Sequence, residues 1–127
     1  QEELSMKNEI RTKNAPAAVG AYSQGIEHNG RIFTSGQLPL SPNGDMICDD
    51  VKEQTKQSLE NLKGILNEAG KSLEDVIKTT VLLTDIEDFE AVNEVYEKYF
   101  SKPYPARSCF AVKALPKGAK VEIEVIA

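Results

Sequence analysis

The sequence predicts an α+β domain: one mixed β-sheet of about six strands with two helices packed on one of its faces. Three observations lead there. The hydrophobic period along the chain changes in the order strand, strand, helix, strand, helix, strand, strand. Only two segments have helical period, too few to cover both faces of a sheet. A chain of 127 residues at 40% hydrophobic content has enough apolar material for one core, and little for a second. The segment QEELS precedes Met6, a plausible initiator. Residues 1–9 are therefore expected to form a flexible tail or an expression remnant, and residues 10–127 the single folded domain.

In chain order, a short extra strand is expected near Ile10. Residues 21–27 and 32–37 flank the stretch HNGR, and its Asn29-Gly30 pair suits a type I′ hairpin turn because both residues tolerate positive φ. The stretch LPLSPNGDMICDD carries two prolines and an Asn-Gly pair, so it is expected to run over the surface as a connection. From Val51 the period becomes helical, with Leu59, Leu62, Leu66 and Ala69 on one stripe. Asp50 with Glu53 resembles a capping box, and Gly70 is placed to end the helix. The β-branched run VIKTTVLLT reads as a buried strand. Asp85 can then cap a second helix with Phe89, Val92, Tyr96 and Tyr99 on one stripe, ending before Pro103. Two last strands, residues 106–114 and 120–127, are joined by the turn LPKG.

If alternation turns Val121, Ile123 and Val125 toward the helices, the opposite face is expected to hold Glu122, Glu124 and Ile126 on one strand and Arg107 and Cys109 on another. A face that is half apolar and half charged is expected to be covered by identical subunits, with functional sites between them.

Charge and composition exclude several classes. The chain carries 15 basic and 20 acidic residues, a net charge of −5, the wrong sign for a protein that binds by neutralising phosphates. No apolar run approaches the roughly 20 residues that span a bilayer, and no secretory leader is evident, so a soluble, cytoplasmic protein is expected. Cys48 and Cys109 lack a framework spacing and read as reduced thiols. The GKS at Gly70 to Ser72 fails as a phosphate loop because Gly64 is one residue off register. His28, the one histidine, sits beside the hairpin turn without a cysteine or carboxylate at ligand spacing, so no metal is expected. Cys109 has no evident base and reads as a small buried hydrophobe.

Arg107 is the outlying residue. A guanidinium keeps its charge at any working pH and calls for a carboxylate or phosphate partner when buried. Two readings stand: a fixed ion pair with Glu122 or Glu124, or recognition of an anionic ligand. Pro103 and Pro105 hold the approach to Ala106 extended, so the arginine is delivered from a stiff segment.

Four stretches, NAPAAVGAYSQG, FTSGQLPL, VNEVYEKYF and PARSCFAV through VEIEVIA, together resemble the RidA family, also called YjgF, in order and spacing from about Ile10 to Ala127. The resemblance implies a chorismate-mutase-like fold, a homotrimer whose sheets form a central barrel, and sites in the clefts between subunits. It implies hydrolysis of reactive enamines and imines, such as 2-aminoacrylate and 2-iminopropanoate, to 2-keto acids and ammonia without a cofactor. By the same resemblance Arg107 holds the substrate carboxylate and Glu122 orients or activates the attacking water, as catalytic residues. Tyr22, Ser35, Gly36, Asn93 and Cys109 match substrate-pocket positions, Cys109 through its backbone. Read from the residues alone, Tyr22 is a packing aromatic, Ser35 and Gly36 are strand-end residues and Asn93 is a solvated helix position. Two departures, Ala21 after Gly20 where the family more often has proline and the bulky Phe110, bear on pocket shape rather than on the reaction. A non-catalytic sensor of 2-keto acids and an RNA-cleaving translation inhibitor are the alternative functions.

Overall fold

A computed structural model describes residues 6–127; of the expected tail at residues 1–9, residues 1–5 lie outside the described residues. Six strands form one mixed sheet: β1 (Asn8–Ile10), β2 (Gly25–His28), β3 (Arg31–Thr34), β4 (Lys78–Leu83), β5 (Ala106–Ala111) and β6 (Val121–Ile126). Their order across the sheet is β1-β2-β3-β6-β4-β5, with β4 and β5 the parallel pair and the other pairings antiparallel. Two helices, α1 (Val51–Glu68) and α2 (Phe89–Tyr99), pack on one face as expected. Asn8 and Glu9 belong to β1 rather than to a tail, because they pair with Glu27 and Ile26 of β2.

The hairpin turn has positive φ at both Asn29 (+52°) and Gly30 (+82°), the conformation a type I′ turn needs. The strands around it are shorter than the alternation suggested. Residues 21–24 leave the ladder because Gln24 is buried and turned into the preceding loop. Its amide nitrogen donates to the carbonyls of Thr12, Ala15 and Pro16, and its carbonyl accepts from Thr12 N–H. At the other end β3 stops at Thr34, and Gln37 rejoins the sheet as an isolated bridge to Ile123.

Asp50 caps α1 by accepting from Glu53 N–H at 2.9 Å, and Gly70 leaves the helix at φ +77°. The apolar stripe of α1 places Leu59, Leu62, Ile65 and Leu66 in the core against Ile32, Val81, Leu83, Val121, Ile123 and Val125. Its buried polar positions tie down the connections. Gln54 donates to Cys48 O and accepts from Lys120 N–H, while Asn61 donates to the carbonyls of Leu38 and Leu40. These side chains give the loop of residues 38–50 the backbone partners that its irregular path cannot supply. Asp85 caps a short 3₁₀ turn, Ile86–Asp88, and not α2 itself, which begins at Phe89.

Replacing Gln24 by alanine removes one buried side chain that serves four backbone groups between Thr12 and Pro16. The substitution is expected to cost about 2–4 kcal/mol, since stranded buried partners lose more than an average hydrogen bond. Urea denaturation at fixed protein concentration checks it; a loss below about 0.5 kcal/mol would mean that water replaces the amide at no penalty.

Candidate active site in two halves

Strand registers decide where each singled-out residue points. In β6, Val121, Ile123 and Val125 oppose Leu83, Val81 and Thr79 of β4, and all six are buried beneath the helices. Glu122 opposes Leu82 and Glu124 opposes Thr80, so both carboxylates lie on the open face. In β5, Arg107 opposes Thr79 and Cys109 opposes Val81, which puts them on the helix face. The expectation that all four residues share one face is therefore wrong. Strand β4 stands between β5 and β6, and its buried side chains fix the parity of both neighbours.

The first half-site is built around Arg107. Its NH1 donates to Asn93 Oδ1 at 2.7 Å, and its Cζ lies 4.8 Å from the ring centre of Tyr96 and 5.3 Å from that of Phe89. Phe89, Asn93 and Tyr96 are spaced four and three apart on α2, so a single helix face presents all three to the guanidinium. Tyr96 is held in turn by a 2.8 Å hydrogen bond with the buried Thr79 hydroxyl. A recess of about 410 Å³ opens here, lined by Asn93, Tyr96, Glu97, Tyr104, Pro105 and Arg107. Among the described residues Arg107 makes no ion pair, so the internal pairing with Glu122 or Glu124 is absent from the chain. An amide dipole and two ring faces orient the cation without neutralising it.

Cys109 lies two residues further along β5 and packs against the edge of the core. Burial pushes its thiol pKa up, partly offset by the nearby Arg107 charge, so at neutral pH the sulfur is protonated and a poor nucleophile. The N–H groups of Ala106 and Val112 bond to Ile77 and Leu83 on the β4 side. By alternation the N–H and C=O groups of Arg107 and Cys109 point off the free edge of β5.

The second half-site lies on the open face. The Glu122 carboxylate rests against the backbone of Gly36; a Cβ at that position would overlap Glu122 Oε2 and come within 2.9 Å of Cδ. Only glycine lets the carboxylate occupy this place. Ser35 Oγ donates to Ser23 O at 2.6 Å and Ser35 N–H to Gln24 O at 2.9 Å, which pins the turn carrying Gly36. Tyr22 and Ser35 line one shallow recess together with Ile26 and Phe33. Desolvation, with a smaller contribution from the neighbouring Glu124 charge, raises the pKa of Glu122 above the usual glutamate range.

Arg107, Asn93 and Cys109 thus come together on one side of the sheet, and Tyr22, Ser35, Gly36 and Glu122 on the other. The surroundings of Arg107 are what residue-by-residue reading missed: Phe89 and Tyr96 read as a core stripe, and Glu97 and Tyr104 drew no attention. The signal was present in the spacing, since positions 89, 93, 96 and 97 share a helical face.

The family profile described as Endoribonuclease L-PSP matches residues 12–127. The RutC family protein y4sK of Sinorhizobium fredii is 53% identical over 118 residues, covering 92% of this chain and 94% of that protein. The 2-iminobutanoate/2-iminopropanoate deaminase of Salmonella typhimurium is 46% identical over 125 residues, covering 96% and 98%. The crystal structure of Escherichia coli TdcF with bound serine superposes with a TM-score of 0.89 at 46% identity, covering 94% of this chain and 97% of that one. With its motifs, topology and near-complete coverage in agreement, the chain belongs to the RidA (YjgF) family.

Proposed function

We propose that this protein hydrolyses small 2-imino acids, and the enamines that tautomerise to them, to 2-keto acids and ammonia. The single observation that carries the reading is Arg107, a guanidinium oriented by Asn93 and two aromatic rings yet left without a carboxylate of its own. That is the state of a receptor for a planar carboxylate. The near-full-length likeness to a 2-iminobutanoate/2-iminopropanoate deaminase supports the choice of substrate class. The net charge of −5 argues against RNA as the ligand despite the description attached to the family.

Because Arg107 and Glu122 occupy opposite faces, one copy cannot bring both to one small substrate. The open face is partly apolar, with Phe33 43% and Phe110 50% exposed, and among the described residues no strand pairs with the outer edge of β5. A homotrimer that sets the β5 edge of one copy beside the open face of the next would complete each site from two copies.

In such a site Arg107 takes the substrate carboxylate through its remaining N–H donors. Glu122, as carboxylate, accepts a proton from water while the water oxygen adds to C2 of the imine. The C=N π electrons move to nitrogen, which is protonated. The carbinolamine then collapses: the C–N bond breaks, ammonia leaves, and the hydroxyl proton is lost as the keto C=O forms. A raised pKa suits Glu122 to both taking and returning a proton. The imine carbon is already electrophilic, so anchoring and aiming supply most of what the reaction needs.

The direct test couples a serine or threonine dehydratase to its substrate and measures 2-keto acid release with and without this protein. Acceleration is expected; binding of 2-keto acids without acceleration would make the protein a sensor. Arg107→Lys keeps the charge but loses the fork, two charge-assisted bonds at roughly 1.5 kcal/mol each, so kcat/KM should fall on the order of a hundredfold. The variant should keep its melting temperature; unchanged turnover in Arg107→Ala would remove the residue from the site. Glu122 must be ionised to accept the proton, so activity falls as pH drops through its raised pKa. Glu124→Gln takes away a negative charge that raises this pKa and should move the acid limb of kcat/KM to lower pH. A limb that stays in place or moves upward would mean that another group titrates.

A further inference from the structure

We propose that Glu97 is a positioning residue for Arg107, acting through Asn93 and never touching the substrate; the proposal rests on the reading of Arg107 as the carboxylate receptor. Glu97 lies four residues after Asn93 on α2, and its Oε1 accepts from Asn93 Nδ2 at 3.4 Å. The other end of the same amide, Oδ1, accepts from Arg107 NH1 at 2.7 Å. The three side chains form one chain of hydrogen bonds along the recess that Glu97 and Arg107 both line.

The chemistry of the three groups makes the arrangement directional. A guanidinium only donates, an ionised carboxylate only accepts, and a carboxamide has one donating and one accepting end. Asn93 can satisfy both neighbours in one orientation alone: NH₂ toward Glu97 and oxygen toward Arg107. Flipping the amide would set donor against donor at Arg107 and acceptor against acceptor at Glu97. Glu97 thus selects the rotamer in which Asn93 offers oxygen to the guanidinium. Ring faces at Phe89 and Tyr96 attract a cation but leave it free to turn in its own plane. The directional bond from Asn93 fixes that rotation, which sets the angle of the fork presented to a planar carboxylate. Proximity alone would give Glu97 the opposite effect, since a second negative charge in the recess repels an anionic ligand.

The two effects have opposite signs in a binding measurement. The probe is 2-oxobutanoate, which keeps the carboxylate and is followed by NMR titration, with imine turnover measured in parallel. Glu97→Ala is expected to raise the Kd and KM about threefold to fivefold, the scale of one lost hydrogen bond, with kcat and melting temperature unchanged. Glu97→Gln, which can still accept through its carbonyl, is expected to fall between. In an Asn93→Ala background the same Glu97→Ala change should cost less than about twofold, because the residue through which it acts is gone. Equal losses in both backgrounds, tighter binding in Glu97→Ala, or a lower melting temperature in both Glu97 variants would each overturn the proposal. A wild-type protein that binds 2-oxobutanoate without imine turnover defeats the deaminase reading while the Kd series still supports or overturns the role of Glu97. Neither binding nor imine turnover by the wild-type protein overturns both, and where turnover occurs without detectable 2-oxobutanoate binding the KM series supports or overturns the role of Glu97.

Discussion

The structure turns on the position of β4 between β5 and β6. Its buried residues Thr79, Val81 and Leu83 are paired on both sides, and each pairing fixes which side chains of its neighbour reach the helices. A slip of one residue in β6 would turn Glu122 and Glu124 into the core, so that register is held by the hydrophobic effect rather than by turn geometry, and a slip in β5 would turn Arg107 and Cys109 away from the helices. From this constraint follow the placement of the exposed Arg107 beside α2, the placement of Glu122 on the open face, and the division of the candidate site into two halves.

Each half keeps its charged group available by a different route. Arg107 is held by neutral partners, an amide oxygen and two aromatic rings, which orient the cation while leaving its charge for a ligand. Glu122 is half-buried against the Gly36 backbone with Glu124 as a like charge on its own face, which favours uptake of a proton. A carboxylate receptor and a proton acceptor that met within one chain would neutralise each other as an internal ion pair. Separation by the thickness of the sheet prevents that within one chain; under the proposed function the two groups would meet only between copies.

Much of the fold was legible because its signals are local. Asn29-Gly30, the capping Asp50, the stripe from Leu59 to Leu66 and the alternation in β6 each depend on a few adjacent residues, and each appears where expected. The strand limits at residues 21–24 were not legible, since the groups that Gln24 serves lie 8 to 12 residues away. The faces of β5 were not legible either. Alternation says which residues share a side, but the side itself depends on pairing with β4, which no property of PARSCFAV reveals. The motifs identified the residues of the candidate site; only the register could show that they point in two directions.

The claim most exposed to test is that Arg107 of one copy and Glu122 of another complete a single site. Arg107→Ala and Glu122→Ala are each expected to abolish imine turnover as pure proteins. Unfolding the two together in equal amounts and refolding them would, in the proposed trimer, give mixed assemblies in which random association leaves about a quarter of the sites with both residues intact. Imine turnover recovering toward that fraction of the wild-type rate is the predicted result. Mixed assemblies, verified by mass, that stay as inactive as either parent would contradict the account, because Arg107 and Glu122 would then have to act within one chain or not together at all.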